Sequence, residues 1–184
     1  MAILSDQEIW FLIQSVRLKI DPIPEQEAVS PSAIDLTLGS SFRVFEEIEE
    51  DNDSAVTLSI DTRQSGRVMD ALERYSTTEV IQDGGSLELK PGRFALAWTR
   101  EHITLPNFLA ARVEGRSTAA RVGLSVHQSA PTVHSTFSGR LQLEMTNAGP
   151  FTIQLFPGQT ICQLILETMS LPALNPLQSV HQSR

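Results

Sequence analysis

The chain has 184 residues and a mass of 20.3 kDa, with 41% hydrophobic and 20% charged residues. A chain of that length and composition can bury one real core and is expected to be an ordinary globular protein rather than a disordered chain. Against 14 basic residues stand 22 acidic ones, for a net charge of −8 and a pI near 4.9. This balance argues against a general nucleic-acid binder, which needs many phosphate-facing cations, and leaves room for one small phosphate pocket. Lys19 and Lys90 are the only lysines, so arginine supplies the other cations, and its planar fork suits bidentate phosphate contacts. The single cysteine, Cys162, excludes an intrachain disulfide framework and the paired-cysteine signature of zinc deaminases. No apolar run approaches the roughly 18 residues of a membrane span. The first residues lack the basic and long apolar regions of a signal peptide, so the cytoplasm is the expected compartment.

In chain order, the first expected element is a helix over about residues 5–19. Ser5 and Glu8 have capping-box spacing, Ile9, Trp10, Ile13 and Val16 follow at helical spacing, and Asp21-Pro22-Ile23-Pro24 ends the pattern. From Ile34 onward short alternating or apolar runs appear at 34–38, 42–45, 56–60, 87–89, 94–98, 109–113, 122–126, 141–145, 151–155 and 161–166. Gly39, Asp83-Gly84-Gly85, Pro91-Gly92, Gly139, Asn147-Ala148-Gly149-Pro150 and Pro157-Gly158 punctuate them. Many short strands at this spacing predict an all-β sandwich or barrel. Residues 46–53 are an acidic run expected in an exposed loop, 67–75 a short helix, and 116–121 one helical turn between strands. The expected organisation is a single β domain over 1–171 with a loose polar tail over 172–184.

Three segments carry possible chemistry. Glu114-Gly115-Arg116-Ser117-Thr118-Ala119-Ala120-Arg121 places two arginines and two hydroxyls among small residues that let backbone N–H groups approach an anion. It reads either as a phosphate loop or as a solvated loop whose arginines pair with nearby acids; it is not the P-loop pattern. In Leu141-Gln142-Leu143-Glu144-Met145, period two puts Gln142 and Glu144 on the face opposite the three apolar residues. Glu144 is then either a surface residue or a placed acid–base group. His127 and His134 invite a metal reading, but no third ligand has convincing spacing, and two separate histidines are the better reading. No G-x-S-x-G elbow is present.

In this order the segments resemble the dCTP deaminase branch of the dUTPase superfamily. The resemblance runs from Ser5 to Leu171 through Ser32-Ala33-Ile34-Asp35-Leu36-Thr37-Leu38-Gly39, Leu89-Lys90-Pro91-Gly92 and Thr104-Leu105-Pro106. Its strongest block begins at Glu114-Gly115-Arg116-Ser117-Thr118 and continues through Arg121 to Leu124. His127 to Ala130, Phe137-Ser138-Gly139, Leu143-Glu144, Asn147-Ala148-Gly149 and Pro157-Gly158-Gln159 to Gln163-Leu164-Ile165 complete it. The resemblance implies a distorted β-barrel or jelly-roll subunit, with an N-terminal helix and short helical turns, in a homotrimer with interfacial sites. It also implies a pyrimidine deoxynucleoside triphosphate such as dCTP, with Mg²⁺ on its phosphates, and deamination without zinc. Glu144 is implied as the proton-transfer group, with Ser117 and Arg121 helping to hold the water and the glutamate. Arg116, Ser117, Thr118, Ala119, Ala120 and Arg121 form the implied phosphate and active-site loop. The Ala130 carbonyl is implied to accept from the water, and Gln142 and Leu143 to line the base and sugar.

Two positions depart from the family pattern. His134 stands where the family has an aspartate at the sugar 3′-hydroxyl; imidazole can hydrogen-bond that hydroxyl but lacks the negative charge. The usual route to dUTP hydrolysis is therefore expected to be impaired. Leu177 stands near the tyrosine of the family's C-terminal lid, and Arg184 falls where the lid starts, which predicts a wetter phosphate site. The leading function is zinc-independent dCTP deamination. The alternatives are dUTP pyrophosphohydrolysis, alone or coupled to deamination, and a non-catalytic nucleotide-binding trimer.

Overall fold

The computed structural model describes residues 2–45 and 59–175. The acidic run 46–53, most of the expected strand 56–60, Leu177 and Arg184 lie outside them. The described residues form a mainly β fold with three short α-helices and one 3₁₀ turn at Gln26–Ala28, as the spacing of apolar runs predicts.

Helix α1 spans Asp6–Gln14, and the capping box is present: the Ser5 hydroxyl accepts from the Glu8 N–H at 3.4 Å, and Glu8 Oε2 accepts from the Ser5 N–H at 2.9 Å. Ile9 and Leu12 are its buried face. The helix stops earlier than the expected residue 19. Val16 takes a left-handed backbone (φ 59°), its side chain is exposed, and the N–H groups of Arg17 and Leu18 close on the Leu12 carbonyl. The turn sends Leu18 and Ile20 into the core, and Lys19–Asp21 becomes strand β1. Periodicity alone missed this because Val16 continues the apolar spacing while its side chain meets solvent.

The remaining strands are β2 (Val29–Ser30), β3 (Ala33–Phe45), β4 (Ser76–Val80), β5 (Leu87–Leu89), β6 (Phe94–Thr104) and β7 (Leu109–Gly115), followed by β8 (Leu124–Ser125), β9 (Thr132–Val133), β10 (Ser138–Asn147), β11 (Ile153–Leu155) and β12 (Thr160–Thr168). Helices α2 (Ser65–Tyr75) and α3 (Ser117–Ala120) fall where a short helix and a helical turn were expected. One curved sheet runs β8-β10-β6-β3-β12-β7-β9, with β1 on β6 and both β2 and β4 on β3; β5 and β11 form a separate pair.

Gly39 is not the boundary its residue type suggests, because β3 passes straight through it. The first half of β3 pairs with β12, the second half with β6 and β4, and the register with β6 shifts between Leu38 and Phe42. A Cβ on Gly39 would come within 2.9 Å of the Trp98 carbonyl oxygen, so glycine is what lets the strand change partners there. Alternation places Leu36, Leu38, Phe42, Leu143, Met145 and Leu164 in one hydrophobic cluster. Each such buried side chain contributes about 1.5–3 kcal/mol.

Two buried polar groups stiffen the bends. The Glu101 carboxylate accepts from the Thr37 N–H at 3.0 Å and from its hydroxyl at 2.6 Å. The buried Thr99 hydroxyl accepts from the Leu141 N–H at 3.0 Å and donates to the Glu101 carbonyl at 2.9 Å, beside the register shift in β10. Past β12, the Ala173 N–H donates to the Asn107 carbonyl at 2.8 Å, so the start of the expected loose tail is tied to the β6–β7 turn.

Candidate active site

The phosphate-loop candidate begins where β7 leaves the sheet. Arg116 precedes α3, whose single turn is closed by Ala120 N–H to the Arg116 carbonyl at 2.9 Å and Arg121 N–H to the Ser117 carbonyl at 3.1 Å. Ser117, Thr118, Ala120 and Arg121 are exposed; Arg116 and Ala119 are half-buried. The ladder decides what the loop faces. Gln163 of β12 lies opposite Asp35 of β3 on one side and Glu114 of β7 on the other. Asp35 therefore meets both neighbours: Arg116 Nη1 donates to its Oδ2 at 2.5 Å, and Gln163 Nε2 to its Oδ1 at 2.9 Å. Arg116, Ser117, Thr118 and Gln163 line a small open cleft. Arg121 is exposed and has no ion-pair partner among the described residues.

The loop is locked to strand β10 through two glycines. Gly123 has φ 94°, and a Cβ on it would meet the Gly149 nitrogen at 2.2 Å; a Cβ on Gly149 would meet the Val122 oxygen at 2.0 Å. The Ala148 N–H donates to the Gly123 carbonyl at 2.9 Å. Asn147, fully buried, holds the turn: its amide donates to the Leu89 and Phe151 carbonyls at 2.8 and 2.7 Å, and its Oδ1 accepts from the Gly149 N–H at 3.0 Å.

Glu144 lies three residues before that turn, half-buried on the non-core face of β10. Leu96 of β6 is its partner across the ladder. Its Oε2 accepts from the Gln128 N–H at 3.3 Å, and the Gln128 amide donates to the Thr146 hydroxyl. The acid is therefore neither a free surface carboxylate nor a core residue. Gln142 is exposed on the same face and Leu143 is buried on the other.

The remaining expected residues lie on loops. Ala130 is exposed; next to it, the Pro131 carbonyl accepts from the Val113 N–H at 2.9 Å. His134 is exposed after β9, and its carbonyl accepts from the Phe137 N–H at 3.2 Å in a tight turn with Thr136 at φ 64°. No hydrogen bond or ion pair joins Glu144 to residues 116–121 within the chain, among the described residues. Among those residues, no group of three or more His, Cys, Asp or Glu side chains is arranged to hold a metal ion, and no helix is long and apolar enough to cross a membrane.

Three residues of this arrangement carried no role in the sequence reading: Asp35, Gln163 and Gln128. Asp35 and Gln163 stand in segments quoted for the resemblance, but their convergence on Arg116 depends on strand pairing. Gln128 also stands in such a segment, His127 to Ala130, but its contact with Glu144 depends on how that loop lies against β10.

Residues 3–169 match the dCTP deaminase-like family. The chain belongs to that family. It is 36% identical over 176 residues to a "dCTP deaminase, dUMP-forming" of Methanobrevibacter smithii, covering 96% of this chain and 85% of the relative. It is 38% identical over 175 residues to a "dCTP deaminase" of Thermomicrobium roseum, covering 95% and 83%. Its fold resembles the crystal structure of 2′-deoxycytidine 5′-triphosphate deaminase from Agrobacterium tumefaciens, with a TM-score of 0.66 at 21% identity, over 91% of this chain and 48% of that one. At that identity the likeness concerns the fold alone.

Proposed function

We propose that this protein deaminates dCTP, giving dUTP and ammonia, with Glu144 moving the protons. The observation that carries the reading is the placement of Glu144: a half-buried strand carboxylate, oriented by the Gln128 N–H, in a member of the dCTP deaminase-like family. Water adds to C4 of the cytosine ring; Glu144 takes its proton and returns protons to the ring and to the leaving amine, which departs as ammonia. Arg121, Ser117 and Thr118 bind phosphate oxygens, and Arg116 is held in the same cleft by Asp35. Ala119 and Ala120 keep the turn small enough for a phosphate to approach its backbone. The Ala130 carbonyl accepts from the attacking water, Ser117 and Arg121 help orient it, and Gln142 and Leu143 flank the base and sugar. His134 donates to the sugar hydroxyl.

Mg²⁺ enters as part of the substrate, held by the phosphate oxygens and offsetting their charge. The donors around the cleft fit that arrangement, since they are phosphate-binding groups beside one carboxylate, Asp35. The site is assembled in a homotrimer, where the 116–121 loop of one copy faces Glu144 of another. This accounts for the two groups making no direct bond within one chain.

A second reading is favoured by the relatives named dUMP-forming, 36% and 38% identical to this chain. In it the same site also hydrolyses dUTP to dUMP and pyrophosphate. His134 opposes it, because imidazole supplies no negative charge to orient the second water.

The test is incubation of the purified protein with dCTP and Mg²⁺, with ammonia, pyrophosphate and the nucleotide products all measured. Ammonia with dUTP supports deamination alone; ammonia with equimolar pyrophosphate supports the second reading. No ammonia at high enzyme concentration, with a dCTP-dependent rise in Tm, would assign the chain to non-catalytic nucleotide binding. Mixing Glu144→Gln with Arg121→Ala protein tests the shared site. Recovered activity is expected if each site draws on two copies.

A further inference from the structure

The surroundings of Glu144 are unequal. Toward Thr146 the space is filled by the Gln128 side chain, which donates to the Thr146 hydroxyl while its backbone N–H donates to the carboxylate. Across the ladder lies Leu96, 6% exposed. The remaining flank along the strand leads to Gln142, and the residue paired with Gln142 on β6 is Trp98. Ala97 and Thr99, on either side of Trp98, are fully buried, so the indole projects to the opposite face, the one carrying Gln142 and Glu144. It is half-buried there and makes no hydrogen bond among the described residues.

We propose that Trp98 forms the apolar wall of the pyrimidine pocket and binds the nucleobase ring beside Glu144. The inference rests on the proposed deamination and adds a substrate-binding residue that no motif in the sequence indicates. A ring whose C4 is brought to the Glu144 carboxylate must occupy the open flank, and that flank is bounded by Gln142 and the indole. An indole offers a large rigid face at low entropic cost, and every pyrimidine has a π-face to set against it. An apolar wall does not distinguish an amine from a carbonyl. Trp98 therefore supplies ring affinity shared by dCTP and dUTP, while the polar groups read the exocyclic position.

The chain has two tryptophans, so a Trp10→Phe protein reports on Trp98 alone. Its emission should change saturably on adding dCTP with Mg²⁺ and stay constant with inorganic tripolyphosphate. Trp98→Leu should raise the KM for dCTP roughly tenfold, the scale of one base–aromatic stack, with kcat changed less than about threefold; Trp98→Phe should restore most of the loss. A residue that only supports the sheet would instead lower Tm and leave the KM of the folded fraction unchanged. Emission that ignores dCTP at concentrations that raise Tm would overturn the proposal, and so would a KM within twofold of wild type in Trp98→Leu. Should Trp98→Leu not fold, the emission titration and Trp98→Phe still decide. If the wild-type protein shows neither a dCTP-dependent Tm rise nor ammonia release, the deaminase reading itself fails and this inference falls with it.

Discussion

Asp35 and Arg116 are 81 positions apart, yet their side chains meet at 2.5 Å because β12 pairs both with β3, which carries Asp35, and with β7, which Arg116 directly follows. The pair is partly exposed, with side-chain accessibilities of 20% and 34%. Its value thus lies in orientation more than in raw stability. Asp35→Ala releases both Arg116 and Gln163 from their shared acceptor. The expected outcome is a rise of roughly tenfold in the KM for dCTP with kcat changed far less, because phosphate contacts are made equally in ground and transition states. Steady-state kinetics on a variant of near-normal Tm checks it; an unchanged KM would remove Asp35 from the binding site.

Glu144→Gln keeps the shape of the carboxylate and removes its basicity. Ammonia release should fall by about 10²- to 10⁴-fold or more, the usual range for a general acid–base group. The dCTP-dependent rise in Tm should persist, since the phosphate loop is untouched. Activity within threefold of wild type would show that another group moves the protons.

The Gly123–Gly149 crossing ties the 116–121 turn to the strand that carries Glu144. Gly149→Ala would place a methyl 2.0 Å from the Val122 carbonyl oxygen, a contact only backbone movement can relieve. A loss of about 3 kcal/mol is expected, or roughly 10 °C in Tm for a chain of this size. Thermal unfolding measures it. A variant as stable as wild type would mean that the two turns separate without cost.

Burial pushes the Cys162 thiol from its ordinary value near 9 up to about 12, with the charges of Glu101 and Asp35 adding to the effect. The folded thiol keeps its proton at pH values where the unfolded one has lost it. Its contribution is therefore fully present below about pH 9 and is lost as pH rises from 9 toward 12. At pH 8 the native protein should resist thiol-labelling reagents and take up one equivalent once unfolded in guanidinium chloride. Rapid labelling of the native state would show that β12 opens locally.

The strands were legible where they alternate. The runs at 87–89, 109–113 and 141–145 fall inside β5, β7 and β10, because one side of each faces the core and the other faces away; the run at 94–98, apolar throughout and buried at 95–97, falls inside β6. Strands of weak pattern were not legible: β4, Ser-Thr-Thr-Glu-Val, has one buried residue and exists because the second half of β3 needs a neighbour. Gly39 reads locally as a stop, yet it is the residue a strand needs to bend past Trp98. The site was legible as two separate pieces, the arginine–hydroxyl turn and the strand carboxylate. Their supports, Gln128, Asp35 and Gln163, were not, since each acts through a partner far away along the chain.

Residue types and their spacing were enough to indicate an all-β chain and a helical turn at 116–121, and the order of its short motifs carried a resemblance to the family, because alternation, turn residues and short motifs are local properties. Tertiary structure decided what those groups face. Pairing brought Asp35 and Gln163 to Arg116 and set Trp98 beside Gln142, two residue pairs from Glu144 and on the same face. A strand's own pattern says which face of it is apolar. It does not say which strand lies alongside or in what register, and those contacts arise only when distant segments share one sheet.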